Sequence, residues 1–342
     1  MIPHPLFLAV LLCDLAAALL LLFAAFGAAK LLSYWESGSS SRLQLRLERQ
    51  AEIAELAGRF ATGLFVLGTL ILTLLFASVL PELVPGAMCG TGVVQASGGT
   101  AQRAFGLRLL ALVLLGLWRL MAGINRSAPL SPGVESVARL TLLATPIVVL
   151  AGLDSWRTMT ALDLHSPVDC CSLVYEQFAQ PAQEGARFAT SEGLWSMLSM
   201  IGAVLLPLLL LACWRRPGPL SEYSLAGLSL LWAPIAALAL VQVWSAYHYG
   251  VLEHHCPWCL FLAQHRFVGY PLLLGLWLVF FEGLALAVAA ALGRSRAEFR
   301  AAATKRRRRA AYAVLLGWML YLLLALAPAF VWRIQHGVWM HG

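Results

Sequence analysis

The sequence predicts an all-α fold, a polytopic helix bundle embedded in a membrane, and three observations predict it. Of the 342 residues, 60% are hydrophobic and only 12% charged, with a mean hydropathy of +0.78, well outside the usage of soluble domains. Eight mostly apolar runs reach the roughly 20 residues a helix needs to cross about 30 Å of hydrocarbon. Basic residues gather beside alternate ends of those runs.

The runs lie near residues 6–32, 60–84, 104–123, 137–154, 193–214, 224–247, 268–292 and 311–333. The first follows "MIPHP", which holds no Lys or Arg, and its basic flank, Lys30, comes at its far end. A secretory signal has a basic start and a shorter apolar core, so this run is expected to be a retained span. Before the second run, "SGSSSRLQLRLERQAEIAELAGR" (37–59) opens with Gly and Ser and continues in strong helix formers of both charge signs. That pattern predicts a separate interfacial or cytoplasmic helix. The loop "PGAMCGTGVVQASGGTAQR" (85–103) precedes the third run, and its small residues let it fold closely over the bundle mouth. After the fourth run, 155–192 contains "DLHSPVDCCSLVYEQFAQ", which predicts short surface helices forming a small cap. The fifth to eighth runs complete the bundle, the last preceded by "KRRRR". Pro146, Pro207, Pro234, Pro271 and Pro328 fall in the runs and predict kinks. No segment between runs has the size of a globular domain, so 1–342 reads as a single integral membrane domain.

Positive charge is retained on the cytoplasmic side, and this sets the expected orientation. With both termini on the outer side, only Arg103, Arg108, Arg157, Arg187, Arg266 and Arg333 of the 24 Lys and Arg residues fall outward. The formal charge of +7 and the run of arginines therefore read as topology signal and attraction to anionic lipid headgroups, with no nucleic-acid partner. Tyr34, Trp35, Trp156, Trp195, Trp214, Trp332 and Trp339 lie near run ends, where interfacial anchoring accounts for them. Asp14, Glu82, Arg108, Arg119 and Glu282 lie in or near runs, where charge is costly. Three of them sit close enough to an end to reach water, which leaves Asp14 and Glu282 as the notable pair.

Five of the seven cysteines, Cys89, Cys170, Cys171, Cys256 and Cys259, fall in the outer loops; Cys13 and Cys213 lie within spans. Disulfides persist on the oxidising side of a membrane, so the placement matches a periplasm or an organelle lumen. An odd number leaves a thiol over, or implies exchange in which partners alternate. Adjacent Cys170 and Cys171 have Cα atoms about 3.8 Å apart, so a bond between them is strained and easily reduced. Less strained pairings join one of them to Cys89 or to Cys256 or Cys259, and the sequence leaves these open.

In "EHHCPWCLFLAQHRF" (253–267), Cys256 can cap a helix with Pro257 at its first position, the run continuing into span seven. The helix's positive end and protonated His254 and His255 would raise the thiolate fraction of Cys256. Trp258 lies within the motif, His265, Arg266 and Tyr270 follow it, and Trp244 and Tyr247 precede it on span six; a flat quinone can stack among such rings. The same stretch offers His248, His254, His255, Cys256, Cys259 and His265 as borderline and soft metal ligands, suiting Zn²⁺ or Cu(I). His254, His255, Cys256 and Cys259 form the candidate metal set. Vicinal Cys170 and Cys171, with Met88 beside Cys89, are equally suited to capturing a soft ion such as copper, zinc or mercury.

A C-x-x-C at an outer helix start, with further outer-loop cysteines, resembles the vitamin K epoxide reductase and bacterial disulfide-forming quinone reductase families. The resemblance covers spans six and seven with their loop, and the loop cysteines; those families use a four-helix bundle. It implies a dithiol, Cys256 and Cys259, next to a quinone, with Cys170 or Cys171 and Cys89 as a shuttle pair. That pair would exchange with a periplasmic thioredoxin-like protein at the bacterial inner membrane. Where the bacterial family has an arginine one turn past the second cysteine, Ala263 stands here, with Arg266 later. The expected function is thus a membrane thiol–disulfide oxidoreductase. Alternatives are soft-metal binding or transport, and a non-enzymatic subunit of a membrane complex with structural disulfides.

Overall fold

The computed structural model describes residues 4–36, 41–129, 131–168, 191–251 and 254–340, and all regular structure among them is helical. Eight of these helices are long and apolar enough to cross a membrane: α1 Pro5–Tyr34, α2 Arg42–Leu83, α3 Thr100–Arg126, α4 Val134–Thr160, α5 Gly193–Arg215, α6 Pro219–Tyr249, α7 Gly269–Ser295 and α8 Ala297–His336. The chain is an integral membrane protein.

Each expected run is present, and most extend a few residues at both ends. Two extensions change the sequence reading. The charged segment expected as a separate interfacial helix is the first part of α2, which Ser41 caps by accepting from the Gln44 N–H at 3.1 Å. No proline interrupts it before Pro81, so the helix carries on from the charged stretch into the apolar one. The basic cluster 305–309 likewise lies within α8. Pro146, Pro207, Pro234 and Pro328 lie inside helices. Pro271 is the third residue of α7, in the first turn, where a missing N–H breaks no helical bond and no kink is required.

Where the sequence reads as one domain, the fold divides into two compact units. The first comprises Met1–Pro85, Val93–Ser166 and Arg296–Ala302; the second comprises Gly86–Gly92, Pro167–Ser295 and Ala303–Gly342. Helices α1–α4 build the first unit, and α5–α7 with most of α8 build the second.

In the first unit α1 packs along α2 and α4, and α3 along α4. Ala17, Ala61, Ala111, Ala144 and Ala151 alternate with Leu21, Phe65, Leu115 and Val148 in its core, and small residues allow the close approach that helix packing in lipid relies on. The polar centre of this unit is Arg108, only 1% exposed. It sits ~12 Å along α3, and Asp14 ~13 Å along α1, at 1.5 Å per residue. Arg108 was expected to reach water; instead its guanidinium is paired with Asp14 and donates to Ser155 Oγ at 2.9 Å and Thr69 Oγ1 at 3.1 Å. Its face lies 5.1 Å from the Phe65 ring centroid. All four helices of the unit contribute to this network.

In the second unit α6 packs against α5 and α7. Trp232 on α6 donates to the Ser199 carbonyl at 2.8 Å, and Trp318 and Tyr321 on α8 donate to the carbonyls of Ala203 and Ala236 at 3.0 and 2.6 Å. These bonds give large amphipathic side chains a partner for each buried polar atom. Helices α7 and α8 meet at Gly275 and Gly317: a Cβ on Gly317 would stand 2.7 Å from the Gly275 carbonyl oxygen. Glu282 is held bidentately by Arg306 at 2.6 and 2.9 Å. By chain connectivity the basic ends of α5, α7 and α8 lie at one end of this unit, and the loop carrying Cys256 and Cys259 lies at the other.

Removing one member of a buried ion pair leaves an uncompensated charge and typically costs about 3–5 kcal/mol, whereas replacing both with apolar groups is often close to neutral. Arg108→Met and Asp14→Leu should each lower the thermal unfolding midpoint in detergent sharply, and the double variant should recover most of the loss. Equal additive losses would show that the two residues do not act as a pair.

Candidate functional site

The site is assembled by the end of α6, the loop to α7 and the segment Gly86–Gly92, all in the second unit. Helix α6 carries a π turn at Leu240–Trp244, an insertion often found at functional positions. It ends at Tyr249 because Gly250 adopts φ +68°, a left-handed conformation that lets the chain turn out of the helix while its N–H returns to the Ala246 carbonyl. Beyond it, Cys256 is extended and caps a short 3-10 turn, Pro257–Phe261, with Pro257 in the first turn as expected. That turn does not run on into span seven. A second turn, Ala263–His265, and two left-handed residues, Arg266 (φ +55°) and Phe267 (φ +54°), intervene before α7 starts at Gly269. The thiols therefore sit on a separate loop structure that is free of the helix axis.

Cys89 is brought to this loop by its own segment. Gly86 has φ +76°, and a Cβ there would fall 2.3 Å from the Val168 carbonyl oxygen, so only glycine allows the backbone this approach. Three residues on, Cys89 lies at the start of the short helix Gly90–Ala96. Its sulfur stands 3.1 Å from that of Cys256, and the sulfurs of Cys89, Cys256 and Cys259 all lie within 4.8 Å of one another. All three side chains are buried, with Tyr249, Trp258 and Leu262 packed against them.

Thr91 Oγ1 lies 3.4 Å from Cys256 Sγ, and His254 Nε2 lies 3.3 Å from Cys259 Sγ. Tyr249 donates its hydroxyl to the Cys256 carbonyl at 2.6 Å. The Tyr249 ring is in turn clasped edge-to-face by His254 at 4.5 Å and His265 at 4.7 Å. Hydrogen bonds with Cys259, then with Cys89, and also with Thr91, hold the Cys256 thiol well below the ordinary thiol range, against the opposing effect of burial. The bonds to Cys256 and Cys89, together with burial, push Cys259 up. Of this pair, Cys256 is thus the sulfur that carries the negative charge most readily and Cys259 the one that keeps its proton. Burial, then the neighbouring His254, hold the His265 imidazole below its usual value.

Of the residues expected in the site, Cys89, Cys256 and Cys259 converge, while Cys170 and Cys171 lie outside the described residues. Trp258 packs on the sulfur cluster and His265 reaches it through Tyr249. Arg266 is exposed at its left-handed turn, and Tyr270 packs edge-to-face on Phe261 at 5.0 Å. In the candidate metal set, His254 contacts Cys259, but neither His254 nor His255 joins the group of ligand atoms that lie within 4.8 Å of one another. Tyr249 and Thr91 were missed; the only signals were a tyrosine before a glycine at a predicted helix end and a threonine two residues after a loop cysteine. On α6, Trp244 stacks with Tyr247 at 6.2 Å, and Trp244 Nε1 and His248 Nε2 are buried with no hydrogen-bond partner among the described residues.

A depressed thiol is present as thiolate at neutral pH and loses its reactivity only as pH falls through the folded value. In the reduced protein, iodoacetamide at pH 6 should therefore modify Cys256 before Cys259, as read by peptide mass spectrometry. Thr91→Val removes a donor to the thiolate and should move the acid limb of the Cys256 labelling–pH profile upward by up to about one pH unit, the effect of about 1.4 kcal/mol, while leaving the rate at pH 6 little changed. Faster labelling of Cys259 would contradict the assignment.

Comparison of the chain with protein families, with curated proteins and with solved structures gave no match in any of the three.

Proposed function

We propose that the chain is a membrane thiol–disulfide oxidoreductase that exchanges electrons between protein thiols and a lipid quinone, with Cys256 as the sulfur common to two alternative disulfides. One observation carries this reading: Cys89 and Cys259 both flank Cys256, with all three sulfurs within 4.8 Å. A structural staple uses two sulfurs. A third within reach gives the displaced thiol somewhere to go.

Written in the direction of thiol oxidation, the Cys256 thiolate and the Cys259 thiol lose two electrons and one proton and form a disulfide. A Cys89 thiolate then attacks Cys256, forming the Cys89–Cys256 bond and releasing Cys259 as thiolate, with no net change in electrons. Attack on Cys89 by a thiolate of a periplasmic thioredoxin-like protein gives a mixed disulfide and releases Cys256. The partner's second thiolate closes the partner disulfide and returns Cys89 as thiolate. The hydrogen bonds that stabilise the Cys256 thiolate also make it the better leaving group in that step. On this reading the thiol end of the second unit faces the oxidising side of the bacterial inner membrane.

A quinone, when bound, supplies the two-electron, two-proton acceptor. The orphaned Trp244 Nε1–H suits a quinone carbonyl, and His248, with one nitrogen tied to the Leu324 backbone, offers its other nitrogen, Nε2, for a proton. On this reading these two join Trp258, His265, Arg266 and Tyr270 as candidates to hold the quinone. The second unit alone holds four spanning helices, the number used by the families the motif resembles.

The test is turnover by purified protein with a reduced thioredoxin-like protein and a soluble ubiquinone analogue, followed by quinone absorbance. Cys256→Ser should reduce the rate to background, and Cys89→Ser should block it while leaving oxidation of the 256/259 dithiol by quinone intact. Thiols inert to both quinone and protein disulfides would sink the proposal.

A second reading is favoured by the same cluster: three thiols beside His254 suit a soft ion. Around a tetrahedral ion with ~2.3 Å metal–sulfur bonds, sulfurs stand about 3.8 Å apart, a spacing the three side chains approach without backbone movement. This reading predicts one Zn²⁺ or Cu(I) per chain, lost in Cys256→Ser, and no quinone reduction.

A further inference from the structure

At the end of the second unit remote from the thiols, the ends of α5 and α7, the start of α6 and the basic part of α8 enclose an open pocket of ≈ 480 Å³. Its polar wall carries Arg294, Arg307 and Arg308 with Thr304, and its apolar wall carries Trp214, Leu286 and Ala311. The charge in it is unbalanced. Glu222 is the pocket's one carboxylate, buried and clasped by both Arg294 and Arg307, the latter at 2.6 Å. Arg307 also donates to Thr304 Oγ1 at 3.0 Å. Arg308 is exposed and has no carboxylate partner among the described residues. Three guanidinium groups thus line a pocket that holds one carboxylate, and the five N–H donors of Arg308 make no ion pair among the described residues.

We propose that this pocket binds the phosphate of an anionic phospholipid, its acyl chains leaving past the exposed rings of Trp214 and Tyr312. Guanidinium groups are matched to phosphate oxygens in geometry and charge. The exposed Trp214 and Tyr312 rings beside the arginines distinguish a lipid from a free phosphate compound, because a small soluble anion leaves those rings bare. The level in the bundle agrees: the pocket lies at helix ends, and the Trp214 ring meets Tyr312 at 5.3 Å, the kind of aromatic pair that settles at a membrane interface. A zwitterionic lipid is disfavoured, since the single carboxylate that would meet its ammonium group is already held by two arginines. General attraction between a basic run and acidic lipid is diffuse, whereas this pocket assigns the contact to particular residues.

The test uses the full chain in detergent, with native mass spectrometry reading lipid retained after addition of equal phosphatidylglycerol or phosphatidylcholine. Wild type should retain one phosphatidylglycerol and at least 10-fold less phosphatidylcholine. Arg308→Glu should cut phosphatidylglycerol retention ~10-fold, while Arg309→Glu, the same charge change on a neighbour outside the pocket, should alter it less than twofold. Thermal unfolding establishes that both variants remain folded. Millimolar inorganic phosphate should not displace the lipid. Equal loss in both variants would mean a diffuse surface effect and overturn the pocket. Equal retention of the two lipids would overturn the anionic specificity, and displacement by phosphate would reassign the site to a soluble anion.

Discussion

Arg108 sits ~12 Å along its helix and is only 1% exposed, so the partners of its buried guanidinium must come from the protein itself. That constraint governs the rest of the structure. It makes every spanning segment a helix, whose backbone bonds close within the segment. It sends the indole and phenol groups of Trp232, Trp318 and Tyr321 to carbonyls of neighbouring helices. It also makes Asp14, Thr69 and Ser155 converge on one guanidinium from three further helices. A network of this kind specifies helix register, because a slip of one residue would strand a charge in hydrocarbon.

The same constraint explains why the cysteine cluster is placed at a helix end. Exchange between sulfurs requires side chains that can change partners, and a loop outside the spans can be irregular in ways a span cannot. Gly250 breaks α6, the turns around Pro257 and Ala263 carry the chain across, and two left-handed residues restart it at α7. Tyr249 anchors this otherwise irregular loop through one hydrogen bond to the Cys256 backbone and two ring contacts. The sulfurs are consequently buried and ordered although none lies on a spanning helix.

Much of this was legible in the sequence. The eight spans follow from run length, since about 20 apolar residues admit few alternatives to a membrane helix. The C-x-x-C loop stood out by composition, and Cys89 was named with it. What was hidden depended on distance. Nothing in "PGAMCGTG" indicates which cysteine it will meet, because the pairing is made by the backbone approach at Gly86 and not by any local pattern. Arg108 near a predicted helix start looked able to reach water; its burial depends on partners spaced from residue 14 to residue 155. The junction of the charged segment with α2 was missed because a change in polarity was read as a boundary, whereas no proline stands there and the glycines that do, Gly58 and Gly63, remain helical.

The central claim is that Cys256 is shared between two disulfides, and a redox titration of the full-length protein in glutathione buffers tests it most directly. Samples are acid-quenched and alkylated, and the connectivity is mapped by peptide mass spectrometry. The account predicts that Cys256–Cys259 and Cys89–Cys256 linkages both appear in wild type, interconvert at constant total oxidation, and are never both absent in oxidised samples. A single linkage that excludes Cys256, or one that never exchanges, would contradict it.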